Sequence, residues 1–174
     1  MNLNPGGRVE GGFAAPLALH EPNPTPFFGN ALVAGTRLYT QDGALPVEVL
    51  GAGDRVVTRD AGMIEIAAIR FRRIRARLVH VSEGALGPSL PESDTRLLAT
   101  QQVLLRDWRA EALAGRTRAL VAAERLIDGE FIRYLGTRDV MVAEIDFGAP
   151  HILYADGIEV ASWTEAMAET ARVL

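Results

Sequence analysis

Apolar and polar residues alternate along most of the chain, in short runs that are separated by turn residues. The clearest example is residues 35–62, which read GTRLYTQDGALPVEVLGAGDRVVTRDAG. Leu45, Val47 and Val49 follow a period of two, and Asp-Gly and Gly-x-Gly-Asp turns bound the run. A period of two between such turns is typical of short antiparallel strands. This segment therefore predicts a β-meander.

Similar short runs continue through the rest of the chain, with only brief helical stretches between them. This density of strands predicts an all-β domain with short helical insertions. In the second half, the pattern predicts strands over residues 97–105, 119–121, 131–134 and 140–147, and short helices over residues 108–114 and 122–127.

Composition divides the chain into three parts. Residues 1–30 are rich first in Gly and then in Pro, which predicts an extended arm without a core of its own. Residues 31–162 carry the predicted β domain. Residues 163–174 have apolar side chains at helical spacing, and Ser162 and Glu165 have the spacing of a capping box. We therefore expect a C-terminal helix that begins after Ser162 and packs on the domain.

The overall composition fits one folded domain and offers little for metal or disulfide chemistry. The 174 residues are 48% hydrophobic, carry a net charge of -4 and include no cysteine. Without thiolates, and with three histidines far apart in sequence, no metal site and no cofactor is expected. No apolar run reaches the ~20 residues of a membrane span, and no conventional signal peptide is present. The compartment stays open, with the cytoplasm as the default expectation.

The segment of residues 35–62 also resembles the first block of the Hint (Hedgehog/intein) family, in its compact bacterial form. The shared motif is a small residue four positions before Gly-Thr, then a turn glycine, Val-Glu-x-Leu, x-x-Gly-Asp and Val-x-Thr. Residues 145–160 are similar to the closing blocks, so the resemblance covers roughly residues 31–162. It implies a flat, horseshoe-shaped all-β fold, in a family whose members rearrange their own peptide bonds.

The chemistry implied by this resemblance needs a thiol or hydroxyl at the first position of the domain, because that side chain attacks the preceding carbonyl. The matching residue is Ala31, which has no nucleophile. The second block supplies a Thr or Ser and, three residues later, a His that protonates the leaving nitrogen. Those places match Ala99 and Gln102. Splicing members end in His-Asn, and Ser162, which stands at the end of the domain here, cannot form the succinimide that the Asn forms.

One histidine, His151, remains in the closing blocks. Its position resembles that of a residue that assists the reaction in active members of the family. With its partners missing, a structural histidine at a strand start is the favoured interpretation. Together the departures favour a degenerate domain over an enzyme, and such a domain would act as a binding or structural module whose protein partner the sequence does not identify. The alternative is a self-processing domain that uses a hydroxyl near the matched places, either Thr36 or Ser162.

Residues 69–78 carry a row of arginines that forms a second candidate surface. The alternation is regular except at one Arg-Arg pair, where a one-residue bulge would keep all five arginines on one face. Such a face could bind phosphate or nucleic acid. The negative net charge and the absence of interleaved aromatics apart from Phe71 instead favour a solvated or ion-paired face and argue against nucleic acid. The five are Arg70, Arg72, Arg73, Arg75 and Arg77.

Overall fold

The computed structural model describes residues 29–164, and most of these residues lie in short strands. Helix α1 spans Trp108–Ala114, and 3-10 helices span Val47–Val49 and Ala123–Leu126. The prediction of an all-β fold with short helical insertions is confirmed. The strands are β1 (Leu32–Val33), β2 (Arg37–Thr40), β3 (Gly43–Pro46), β4 (Arg55–Thr58), β5 (Gly62–Glu65), β6 (Ala68–Val81), β7 (Thr95–Leu98), β8 (Gln102–Leu105), β9 (Ala119–Ala122), β10 (Ile132–Asp146), β11 (Ile152–Ala155) and β12 (Ile158–Ala161).

The strands form two antiparallel sheets. In the first sheet the order is β1-β10-β6-β7, and in the second it is β3-β2-β4-β11-β12-β8-β9, with β5 paired to β4. The main hydrophobic core takes residues from both sheets, including Val79 and Ile145 from the first and Leu38 and Val160 from the second. Burial of apolar surface from both sheets is the main stabilising contribution to such a domain.

The predicted meander is present in β2, β3 and β4, but its middle part differs from the prediction. Residues Val47–Val49 form a 3-10 helix and not a strand, with the Leu50 amide donating to the Val47 carbonyl at 3.2 Å. Pro46, which precedes the helix, has no N–H to extend the ladder. The Val47 side chain is still fully buried, so the alternation correctly identified a core residue in the wrong element.

The predicted single strand over residues 97–105 is wrong, because the chain turns in its middle. Strand β7 belongs to the first sheet and β8 to the second, and the Gln101 amide donates to the Leu98 carbonyl at 2.9 Å between them. Both halves are apolar, so a periodicity test alone does not detect the turn. This turn carries the chain from one sheet to the other and is next to the candidate site.

The two strands predicted over residues 131–134 and 140–147 are in fact one long strand, β10. Its register with β6 shifts between Tyr134 and Gly136, and Gly136 has a φ of 85°. A glycine adopts this conformation at low cost, so the strand continues through the irregularity. In the sequence, the same glycine resembles a turn between two strands.

Two predictions lie wholly or largely outside the described residues. The extended arm is described only at residues 29 and 30, and the C-terminal helix is described only at Trp163 and Thr164, which lie in neither a helix nor a strand. The capping box depends on Glu165, which is also outside. Within residues 29–164, no helix has the length and apolar character needed to cross a membrane.

Candidate functional site

Three of the five predicted site residues lie together where the first residues of the domain meet the start of β8 and the end of β12. Ala31 and Ser162 line one small closed cavity there, which leaves no space for a water molecule. The backbone N–H of His151 donates to Ser162 Oγ at 3.0 Å. Ala99 is buried in the main core nearby but does not line the cavity. Ala31, Ser162 and His151 are thus brought together in space.

The glutamine side chain in this cavity belongs to Gln101, a residue that the sequence analysis did not identify. Gln101 is 0% exposed. Its Nε2 donates to Asn30 Oδ1 at 3.2 Å and to the Ala161 carbonyl at 2.9 Å. Gln102 instead contributes its backbone N–H, while its side chain reaches the Thr100 carbonyl at 3.4 Å. The sequence motif had assigned Gln102 to this place, one residue further along the chain, whereas the side chain that lines the cavity is that of Gln101.

Asn30 is the second site residue that the sequence analysis missed, and it lies directly before the domain. It is 1% exposed, and its Oδ1 accepts from the Gln102 N–H at 2.8 Å as well as from Gln101. Its Nδ2 donates to the Ser162 carbonyl at 3.3 Å. We call Asn30, Gln101, Gln102 and Ser162 the junction network. It connects the entry and the exit of the domain by buried hydrogen bonds, which are costly to leave unmade.

The chemical groups in the junction network can form hydrogen bonds but include no strong acid or base. An uncharged amide such as that of Gln101 can donate and accept hydrogen bonds but does not titrate near neutral pH. Gln101 Oε1 is a buried acceptor without a hydrogen-bond partner within the described part of the chain. Thr36, the other hydroxyl considered, lines a separate polar cleft of about 340 Å³ together with His80 and Asp94. It is therefore not part of the junction network.

His151 is held at the start of β11 by Asp60. The imidazole Nδ1 lies 2.8 Å from Asp60 Oδ2, and Asp60 Oδ1 accepts from the Ile152 N–H at 2.8 Å. The ring also contacts Phe147 edge to face, with centroids 6.0 Å apart. Burial acts to raise the pKa of Asp60, but the hydrogen bonds from Ile152 and His151 outweigh it, so this pKa lies below its ordinary value.

The lowered pKa of Asp60 predicts a pH dependence of stability. Because the folded-state pKa lies below the ordinary value of 3.8, ionised Asp60 stabilises the fold above that pH, and this contribution is lost as the pH falls through the folded-state pKa. We expect Asp60→Asn to be less stable than the parent protein at neutral pH, with a difference that shrinks in acid below pH 3.8. Urea unfolding at a series of pH values measures this. A difference that did not change with pH would contradict the assignment.

The row of arginines does not lie on one face, because the predicted bulge at Arg72-Arg73 is absent. The register of β6 with β10 is continuous there, and the irregularity lies in β10 instead. Successive side chains of a strand point to opposite faces, so two of the arginines face one side and three the other. Among the described residues, four of the five have ion-pair partners: Arg70 and Arg72 pair with Glu144, Arg75 with Asp139, and Arg77 with Glu124.

The described residues also offer no obvious metal centre. Among residues 29–164 there is no group of three or more His, Asp or Glu side chains that could hold a metal ion.

Comparison with known proteins identifies the class of this domain. A family model of the Hint domain matches residues 30–167. Since this match covers most of the chain, the chain belongs to the Hint domain family. No curated protein matches it.

Three solved structures align with this chain over most of its length. A variant of the MchDnaB-1 intein aligns with a TM-score of 0.50 and 14% identity, over 77% of this chain and 100% of that chain. The bacterial intein-like domain from Clostridium thermocellum aligns with a TM-score of 0.49 and 17% identity, over 78% and 99%. The gp41-1 intein aligns with a TM-score of 0.48 and 14% identity, over 75% and 96%. At these identities the likeness concerns the fold alone.

Proposed function

We propose that this chain is a degenerate Hint domain, which no longer processes itself and acts as a structural or binding module. The observation that carries the proposal is Ala31, which lies in the closed cavity at the first position of the domain. A methyl group cannot attack the Asn30 carbonyl, and the chain has no cysteine to replace the missing thiol.

The residue beside Ala31 supports the same proposal. The family chemistry requires a group that protonates the leaving nitrogen, which is usually done by a histidine. The Gln101 amide lines the same cavity as Ala31, and its Nε2 donates to Asn30 Oδ1 and to the Ala161 carbonyl. An amide in this role stabilises the folded chain but supplies no proton.

The narrowness of the cavity is a further argument. Hydrolysis of an ester or thioester requires a water molecule beside the carbonyl, and the cavity that Ala31 lines has no room for one. The narrow cavity therefore favours a permanent junction over one that water cleaves.

The positive role that these contacts suggest is to hold the two flanks of the domain together. Asn30 binds the Ser162 carbonyl, and Thr100 Oγ1 donates to the Gly29 carbonyl at 3.3 Å. On the exit side, Trp163 is buried, and the Arg70 guanidinium lies 4.9 Å from the centre of its ring. A domain of this kind would keep the segments before and after it attached and close to each other.

One contact favours a second candidate, in which Ser162 acts as a nucleophile. The carbonyl of Ala161 accepts a hydrogen bond from Gln101 Nε2 at 2.9 Å, which would stabilise negative charge on that oxygen. In this reaction Ser162 Oγ would bond to the Ala161 carbonyl carbon, the peptide C–N bond would break, and the hydroxyl proton would pass to the Ser162 nitrogen. Against it, Ser162 Oγ is held by the His151 N–H, and no side-chain base is hydrogen-bonded to it among the described residues.

The intact mass of the purified full chain distinguishes the two candidates. We expect a single unchanged mass after long incubation, with or without dithiothreitol or hydroxylamine, because neither a thioester nor an ester forms. Hydroxylamine cleaves both kinds of intermediate. A fragment ending at Ala161, absent in Ser162→Ala, would support the second candidate. A fragment ending at Asn30 would contradict the proposal of an inert domain.

A further inference from the structure

Outward-facing side chains of the second sheet line up in a row across five of its strands. The pairings of β2, β11, β12, β8 and β9 place one such residue of each strand beside the next. Their neighbours along each strand are buried in the core, so this row is on the outer face of the sheet. We call it the outer row. From β2 to β9 it consists of Tyr39, Tyr154, Glu159, Leu104 and Leu120.

Aromatic and apolar side chains contribute much of this part of the surface. The Tyr39 and Tyr154 rings stack with centroids 5.7 Å apart, and Leu120 is 48% exposed. A groove of about 420 Å³ is lined by three residues of the row and, on its other side, by Leu86 and Leu90 of the loop of residues 84–94. Trp108 is 71% exposed and follows a groove residue directly. Clustered exposed apolar side chains are characteristic of interaction sites.

The charged residues of the groove are already paired with each other or with neighbours. The Glu159 carboxylate lies 2.7 Å from the Arg106 guanidinium and 3.3 Å from that of Arg59. Asp107 caps helix α1 and pairs with Arg109. Since these charges are compensated locally, the groove complements an uncharged, apolar occupant.

We propose that the occupant of this groove is the arm of the same chain, residues 1–28. The arm joins the described domain at Gly29, which is tied to Thr100 in the turn before β8. Leu104 lies four residues beyond Thr100, within about 15 Å, while an extended arm of this length would reach up to about 90 Å. The groove is therefore easily within its reach.

The sequence of the arm fits the groove in chemistry as well as in reach. Within residues 11–28 the ionisable residues are His20 and Glu21, so this stretch is almost uncharged, like the groove. Bound in this way, the arm would cover the outer row. Its apolar side chains would then be buried against the domain, which the arm alone does not achieve. Within residues 11–28 the large apolar side chains are Phe13, Leu17, Leu19, Phe27 and Phe28.

A paramagnetic label on the full chain tests this docking. Because the chain has no cysteine, His20→Cys gives a single nitroxide site. We expect the amide signals of residues 103–105 and 157–159 to lose more than half of their intensity relative to the reduced label. The signals of residues 73–75, in the other sheet, should keep theirs. Leu120→Glu, in the outer row beside the groove residue Leu104, should restore most of the lost intensity. Val49→Glu, at a 62% exposed position outside both the groove and the outer row, should not.

Three results would overturn the docking proposal. They are the absence of broadening in the groove, broadening centred on another surface, and broadening that Leu120→Glu leaves unchanged. A mixture of nitroxide-labelled chain with isotope-labelled, nitroxide-free chain separates the occupants, because broadening in that mixture would assign the groove to the arm of a second copy. The proposal rests on the proposed function in that the arm must remain attached. The intact mass is therefore measured before the broadening experiment, because it shows whether the chain is cut after Asn30. A failure of the proposed function is thus distinguished from a failure of the docking proposal.

Discussion

Gln101→Ala is expected to lower the free energy of unfolding by about 3 kcal/mol, while Gln102→Ala is expected to lower it by less than about 1 kcal/mol. The Gln101 side chain is fully buried and donates to Asn30 Oδ1 and to the Ala161 carbonyl. Its removal leaves the Ala161 acceptor buried without this donor and opens a cavity. The Gln102 side chain makes one long contact at a partly exposed place. Urea unfolding measures both values, and the larger one corresponds to a fall in Tm of about 10 °C.

An isosteric variant separates hydrogen bonding from packing in this experiment. Gln101→Glu keeps the shape of the side chain but places a carboxylate, which is only an acceptor when ionised, against the Ala161 carbonyl and Asn30 Oδ1. We expect it to destabilise the fold at least as much as Gln101→Ala at neutral pH. Equal and small effects of the Gln101 and Gln102 variants would show that the junction network does not hold the domain together.

The β-meander could be predicted from sequence because its turns are encoded locally. Asp-Gly and Gly-x-Gly-Asp sequences fix where the chain reverses, and Gly43 and Gly53 adopt φ values of 99° and 93° at those turns. The first block of the family motif consists largely of such turn residues, so the same residues predict both the family and the strands. The error at Val47–Val49 arose because the alternation groups Val49 with Leu45 and Val47. In the 3-10 helix that follows Pro46, Val47 is buried but Val49 is 62% exposed.

The junction network could not be predicted in the same way, because it is built from contacts between distant parts of the chain. Asn30 and Gln101 are 71 residues apart in sequence. Asn30 also lies one residue before Ala31, the first position of the family motif, so the motif does not include it. The turn between β7 and β8 decides which of the two adjacent glutamines enters the cavity, and no Gly, Pro, Asp or Asn marks that turn in the sequence. Burial of an amide is a tertiary property that composition does not reveal.

The double variant Ala31→Cys with Gln101→His is expected to regain cleavage between residues 30 and 31. The thiolate sulfur would bond to the Asn30 carbonyl carbon, the peptide C–N bond would break, and the imidazolium would protonate the leaving nitrogen. Dithiothreitol would then release residues 1–30 as a fragment by attack on the thioester. Intact mass over time measures the product, and the parent chain should give none.

The matched control is Ala31→Cys with Gln102→His, which carries the same two side chains but places the imidazole one residue further along the chain. We expect it to release no fragment, because the Gln102 side chain does not line the cavity that contains Ala31. Cleavage in this control but not in the Gln101→His protein would reverse the roles of the two glutamines. If both double variants are folded and neither is cleaved, the domain has lost more than these side chains. The cavity around Ala31, which is closed to water, would then be the first structural feature to explain it.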